Sequence, residues 1–247
     1  MIPATIVVDM TDTALLYLQD SYIKEFDAEV VRSGPRYVIL DRTAFYPEGG
    51  GQPTDTGRLY YDSDEFRVIK VMQRGEQVYH YLDGDIPERS KVHGKVDWEK
   101  RFTYMRLHSG EHLLTGLFEG EKGGPKVFSS FSQLDFKPSD IDENTIRDIE
   151  ERFNEIIDEN IPVDTYYQNR DELDVSDDER KKEFLEKIPN AIKKIRMVKI
   201  GTYALTFCMG THVKSTGEIG KLEELRVEPK KKRRKIVYFK LEGLEAP

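Results

Sequence analysis

A chain of 247 residues is long enough to bury a core of its own, as one large domain or two small ones. With 38% hydrophobic and 34% charged residues it has the make-up of a soluble globular protein, and no apolar run approaches the ~18 residues of a membrane span. The net charge of −8 argues against a generic nucleic-acid binder, and a lone cysteine, Cys208, excludes an internal disulfide framework. Met1-Ile2-Pro3-Ala4 carries neither a basic patch nor an apolar h-region, so the cytoplasm is the expected compartment.

The first part of the chain, to about residue 95, is β-rich. Tyr37–Leu40, Arg58–Tyr61, Phe66–Met72 and Val78–Leu82 carry β-branched and aromatic residues between turn signals, and Leu15–Leu18 suggests a short helical lead-in. Such short strands predict a small barrel. From Asp97 the texture changes. Glu99 to Phe118 places Phe102, Met105, Leu113 and Leu117 at helical spacing, until Gly123-Gly124-Pro125 interrupts. Val127–Phe136 reads as a strand or hairpin, and Ile141–Asn160 as an acidic helix striped by Ile146, Ile149, Phe153, Ile156 and Ile157. Pro162–Tyr167 follows as a strand, Glu179–Lys187 as a helix, and Ile195–Ile200, Ala204–Phe207 and Ile236–Lys240 as strands. The absence of βαβ alternation predicts an α+β fold. Charge is segregated along the same stretch: residues 140–190 hold 18 Asp/Glu against 7 Lys/Arg, and residues 191–240 hold 14 Lys/Arg against 4 Asp/Glu. Lys193, Lys194, Arg196 and Lys199, then the run Lys230–Lys235, offer a polyanion a place to dock, unless they are simply a solvated face.

Three of the five histidines fall in two short motifs. His108-Ser109-Gly110-Glu111-His112 sets two imidazoles four residues apart on one helix face, close enough to share an ion. Cys208-Met209-Gly210-Thr211-His212 adds the only thiol and a third imidazole at the end of a strand. A nitrogen and sulfur set of this kind suits Zn²⁺, one ion per chain, over hard cations such as Mg²⁺. Four protein donors would close a structural site, whereas a catalytic ion needs an open position, and the sequence leaves that choice open. His108-x-x-Glu111-His112 also matches the H-x-x-E-H pattern of a class of zinc peptidases, in which the Glu is general base, but the Cys/His partner departs from the carboxylate that pattern wants. His80 and His93 are expected to be ordinary half-exposed strand histidines.

Asp41 to Gly57 contains three consecutive glycines, Gly49, Gly50 and Gly51, followed by Gln52. Glycines let backbone approach a ligand closely, although a hairpin tip needs them too, and no Lys-Ser/Thr follows to make a phosphate loop. Taken together, the ordered motifs resemble the editing domain of alanyl-tRNA synthetase and, more closely, its free-standing relatives of the AlaX-M type. They are Asp41–Gly57, Val96-Asp97-Trp98-x-x-Arg101, His108-Ser109-x-x-His112-Leu113-Leu114, Leu134-Asp135-Phe136, Val198-x-Ile200-Gly201, Cys208-x-Gly210-Thr211-His212-Val213 and Thr216-Gly217-Glu218-Ile219-Gly220. Met209 stands where the family often has Gly, and Glu111 where it often has a small or hydroxyl residue.

The resemblance implies a barrel with the glycine-rich loop over residues 1–96 and a two-layer α/β, zinc-containing editing domain over 97–247. It also implies a stand-alone factor that hydrolyses the ester of serine or glycine on mischarged alanine tRNA. In that reading zinc positions the aminoacyl end or a water, and Thr43 pairs with the serine hydroxyl. Gly49, Gly50, Gly51 and Gln52 form the substrate loop, whose N–H groups meet developing oxyanion charge, and Glu111 is the candidate base. The alternatives are a zinc-stabilised RNA-binding module without catalysis and the H-x-x-E-H peptidase.

Overall fold

The computed structural model describes residues 13–118, 121–122, 126–137, 141–174, 182, 185–186, 188, 190, 192–230 and 234–244. The chain falls into two compact units, Met1–Tyr104 and Met105–Pro247. No helix among the described residues is long and apolar enough to cross a membrane.

In the first unit six strands close into an antiparallel barrel: β1 (Glu25–Gly34), β2 (Tyr37–Leu40), β3 (Gly57–Tyr61), β4 (Asp64–Arg74), β5 (Gln77–Leu82) and β6 (Lys91–Val96). They are ordered β1-β2-β5-β4-β3-β6, and β6 returns to β1. Alternation drives closure: β1, β5 and β6 bury every second side chain, while β2 buries Val38, Ile39 and Leu40 in a row and β4 buries Val68 and Val71 across a register shift. In β1 the buried set is Phe26, Ala28 and Val30, with Glu25, Asp27 and Glu29 outward. Phe45, Leu59, Val68 and Val71 complete the interior. Gly94 of β6 makes room for the Phe26 ring, which would lie 2.5 Å from an added Cβ. The expected helical lead-in is a single 3-10 turn, Leu16–Leu18, beside a parallel bridge of Ala14–Leu15 with Arg42–Thr43.

The second unit takes over within α1 (Trp98–Leu117). Lys126–Val127 and β7 (Ser132–Lys137) form the expected hairpin. α2 (Glu143–Glu159) starts at Asp142, whose carboxylate accepts the Thr145 N–H, and ends at Asn160 in the left-handed region, φ 51°. Ile149, Phe153, Ile156 and Ile157 form its buried stripe. β8 (Val163–Asn169), β9 (Lys194–Ile200) and β10 (Ala204–Phe207) make a three-stranded antiparallel sheet in that order. β11 (Leu222–Lys230) and β12 (Arg234–Leu241) form a hairpin that extends the β7 sheet through β12. Helices and antiparallel strands segregate in the α+β manner. Gly123-Gly124-Pro125, most of the helix expected over Glu179–Lys187, and Lys231–Arg233 of the basic run lie outside the described residues.

Candidate metal centre

α1 supplies His108 and His112 one turn apart, and the segment after β10 supplies Cys208 and His212. One donor atom from each lies within 4.8 Å of all the others. The Cys208 Sγ is 3.5 Å from His108 Nε2 and 3.3 Å from His212 Nε2. Zinc bonds of about 2.0 Å to nitrogen and 2.3 Å to sulfur at a tetrahedral angle put those atoms about 3.5 Å apart, so the spacing fits. His112 Nε2 is buried without a hydrogen-bond partner, which is costly unless an ion takes its lone pair. α1 is set by contact. Gly110 packs on Ile219 and Phe239, where an added Cβ would meet atoms at 3.3 Å, and at Gly116 it would lie 2.0 Å from the Tyr203 carbonyl oxygen.

The loop that carries Cys208 is clamped from below. Arg196, buried on β9, donates from Nη1 to the carbonyls of Cys208 (2.7 Å) and Gly210 (3.0 Å), and the Gly210 N–H donates to the sulfur. Sequence charge alone counts Arg196 with the docking lysines; the structure removes it from that surface and makes it a support of the centre. Ser109 Oγ accepts from the Val213 N–H and lies 3.1 Å from His212 Nδ1. A proton on Nδ1 donated to that oxygen leaves Nε2 unprotonated towards the sulfur, the tautomer a metal requires. Burial pushes His212 down to about 3. Burial would raise the Cys208 thiol, but His108, His212 and His112 outweigh it and hold the thiol well below its usual range. Burial opposes protonation of His112 too, yet Glu111 and Cys208 raise it on balance. Cys208 and His212 are thus biased towards the deprotonated forms that bind a cation, and His112 is not.

The other expected site residues lie in the first unit, Glu111 excepted. Gly49 and Gln52 pair across a tight turn, with Gly50 (φ 56°) and Gly51 (φ 88°) between them. Positive φ at both central positions is the mark of a type I′ turn, and explains two glycines in succession. The Gly49 N–H is taken by the Gln52 carbonyl, so the amides open to a ligand are narrowed to its neighbours. Arg101, fully buried, pairs with Asp55, whose Oδ2 also accepts the Tyr46 N–H, and its Nη1 donates to the Ser21 carbonyl (3.0 Å). This brace fixes the base of the glycine loop.

Two family models match the chain: "tRNA synthetases class II (A)" over residues 9–100 and "Threonyl and Alanyl tRNA synthetase second additional domain" over residues 195–236. The chain is 34% identical to the Alanyl-tRNA editing protein AlaX-M of Methanosarcina barkeri, over 93% of its own length and 99% of the relative's. The chain belongs to the AlaX-M family of alanyl-tRNA editing proteins. The AlaX-M protein of Methanosarcina acetivorans is similar to the same degree, 34% over 93% of this chain and 99% of the relative. The Alanine–tRNA ligase of Ignicoccus hospitalis is 38% identical over 85% of this chain, which spans only 24% of that enzyme.

Within this AlaX-M chain, Thr43 is fully buried, and its Oγ1 accepts the Phe45 N–H (3.1 Å) and lies 2.8 Å from His80 Nε2. His80 is therefore not the half-exposed strand residue expected; it faces the barrel interior, where the alternation of β5 puts it, while His93 stands outside beside Asp27. Burial pushes His80 down to about 4, with the Val38 and Val78 carbonyls acting the other way. Unfolding returns the ring to a pKa near 6.5, so between these values the unfolded chain binds a proton that the folded chain does not. Stability is full above pH ~6.5 and is expected to fall by about 3 kcal/mol as pH drops towards 4. Urea midpoints across that range measure the loss, and His80→Gln should remove most of it.

Proposed function

We propose that the protein hydrolyses, in trans and in the cytoplasm, the ester that joins serine or glycine to the 3′ end of alanine tRNA. The observation that carries this reading is the His108–His112–Cys208–His212 cluster in a chain of the AlaX-M family. The relatives' names give alanyl-tRNA editing; the ester, the amino acid and the zinc are our reading. Correction of this kind is needed because a pocket for alanine rejects a smaller side chain, or one that only adds a hydroxyl, by little binding energy.

Water adds to the ester carbonyl, the bond to the ribose oxygen breaks, and free amino acid and a restored tRNA hydroxyl result. Zinc held by the four donors would supply a Lewis acid or an anchor for the aminoacyl end. Glu111 is our candidate for the proton acceptor. It is buried, Oε1 is held by the Thr115 hydroxyl (2.8 Å), and Oε2 has no hydrogen-bond partner. Thr43 is assigned to the serine hydroxyl, and the Gly50 and Gly51 amides, with Gln52 closing the turn, to charge on the carbonyl oxygen. We assign substrate recognition to residues 1–96 and the metal centre to residues 97–247.

A deacylation panel tests this. Seryl ester on alanine tRNA is expected to be lost rapidly and the alanyl ester slowly, with chelator abolishing the first. Thr43→Val, which keeps volume and removes the hydroxyl, should slow release of serine more than of glycine. Equal rates for serine and alanine would overturn the editing reading, and Glu111-dependent cleavage of peptides would replace it with a peptidase.

A further inference from the structure

The register of the three-stranded sheet lines up residues that the reaction has not used. Tyr167 of β8 is the cross-strand partner of Arg196 on β9. Arg196 is in turn level with Cys208, whose N–H donates to the Arg196 carbonyl (3.3 Å) as the line of β10 runs on. Residues opposite one another in register share a face of the sheet, so Tyr167, Arg196 and Cys208 form one row. Strand spacing puts its two ends about 10 Å apart. The middle member is buried under the metal loop, whereas Tyr167 at the far end is 52% exposed. Asn169 and Lys194 form the next paired row on that face, and Lys194 is exposed.

Two further observations bear on what this region could bind. Six large apolar residues stand exposed among the described ones, and five of them, Tyr166, Tyr167, Ile192, Leu205 and Met209, are on or beside this sheet, Tyr166 and Leu205 on the face opposite to Tyr167. Lys194 shares the face of Tyr167 by register and is exposed, which favours an anionic occupant there, whereas the exposed Lys199 lies on the other face. An aromatic face beside lysines is the recognition chemistry of unpaired nucleotides, whose bases stack and whose phosphates pair with cations.

We propose that Tyr167 is the stacking platform for the base of the 3′-terminal adenosine of the tRNA, with Lys194 beside it for a phosphate of the single-stranded tail. The proposal rests on the deacylase reading, since the ester sits on the ribose of that nucleoside. With the ester at the metal centre, its base reaches about as far as the row extends. Tyr167 touches the leaving nucleoside and not the amino acid, so it acts equally on seryl and glycyl substrates.

The test uses the full chain with zinc and an uncharged acceptor-stem RNA minihelix ending in CCA, its terminal adenine replaced by 2-aminopurine, whose fluorescence drops on stacking. Wild type is expected to quench the probe. Tyr167→Ala should lose the quench and raise KM for seryl-tRNA roughly 5- to 100-fold, with kcat and zinc content little changed. Tyr167→Phe should retain both, and Tyr166→Ala, on the opposite face, should behave as wild type. Unchanged quench and KM in Tyr167→Ala would overturn the proposal, as would equal losses in Tyr166→Ala. Unchanged quench with loss of self-association would assign the face to a second copy of the chain instead. Quenching by a wild type that deacylates nothing would sink the hydrolase reading and leave the platform standing.

Discussion

Cys208→Ala is expected to lose most of its bound zinc and to deacylate seryl-tRNA more than about 100-fold more slowly. Removing even an outer partner of a metal ligand costs about 10- to 100-fold, and Cys208 is the one sulfur donor, central to the set at 3.3 and 3.5 Å from two imidazoles. His112→Ala should match it, because His112 Nε2 is buried with no hydrogen-bond partner, the Glu111 carboxylate lying 3.8 Å away. Elemental analysis beside the assay decides the matter. A full zinc load in both variants would remove the centre as drawn, and a full load in one alone would remove that donor.

Arg101→Met is expected to destabilise the barrel unit by about 3–5 kcal/mol, the usual cost of leaving one partner of a buried ion pair alone. Asp55 is 1% exposed and would keep only the Tyr46 N–H among its present donors to Oδ2, while the Ser21 carbonyl loses its donor. Urea unfolding measures this. A change under 1 kcal/mol would mean that water replaces the guanidinium, and that the brace of the glycine loop is dispensable.

The sequence shows the chemistry of this chain more fully than its scaffold. Residue type and spacing pick out the pairs His108/His112 and Cys208/His212, because a helical turn and a strand end are short-range features, and the fold brings the two pairs together. Strands such as Ala204–Phe207 stand out by their apolar and β-branched residues. β1 and β11 do not. The outward Glu25, Asp27 and Glu29 dilute the apolar alternation of the first, and glutamates with Pro229 that of the second, although both pair along their length. Arg196 is the instructive error. A lysine-rich neighbourhood suggests a solvent-facing cation, but register turns that side chain inward to two carbonyls, and nothing local reveals long-range pairing. His80 is hidden likewise by the phase of β5.

The two glycines of α1 bear on which ion the proposed centre would accept. At Gly116 the helix meets a carbonyl oxygen where no side chain fits, and Gly110 lies against Ile219 and Phe239. The two imidazoles that α1 carries are thus placed by van der Waals contact before any metal arrives. Copper outcompetes zinc for most nitrogen and sulfur donors when the donors are free to rearrange around it. If zinc is the ion, as proposed, a helix held by such contacts would resist the square arrangement that copper prefers, and discrimination would come from stiffness rather than from ligand identity.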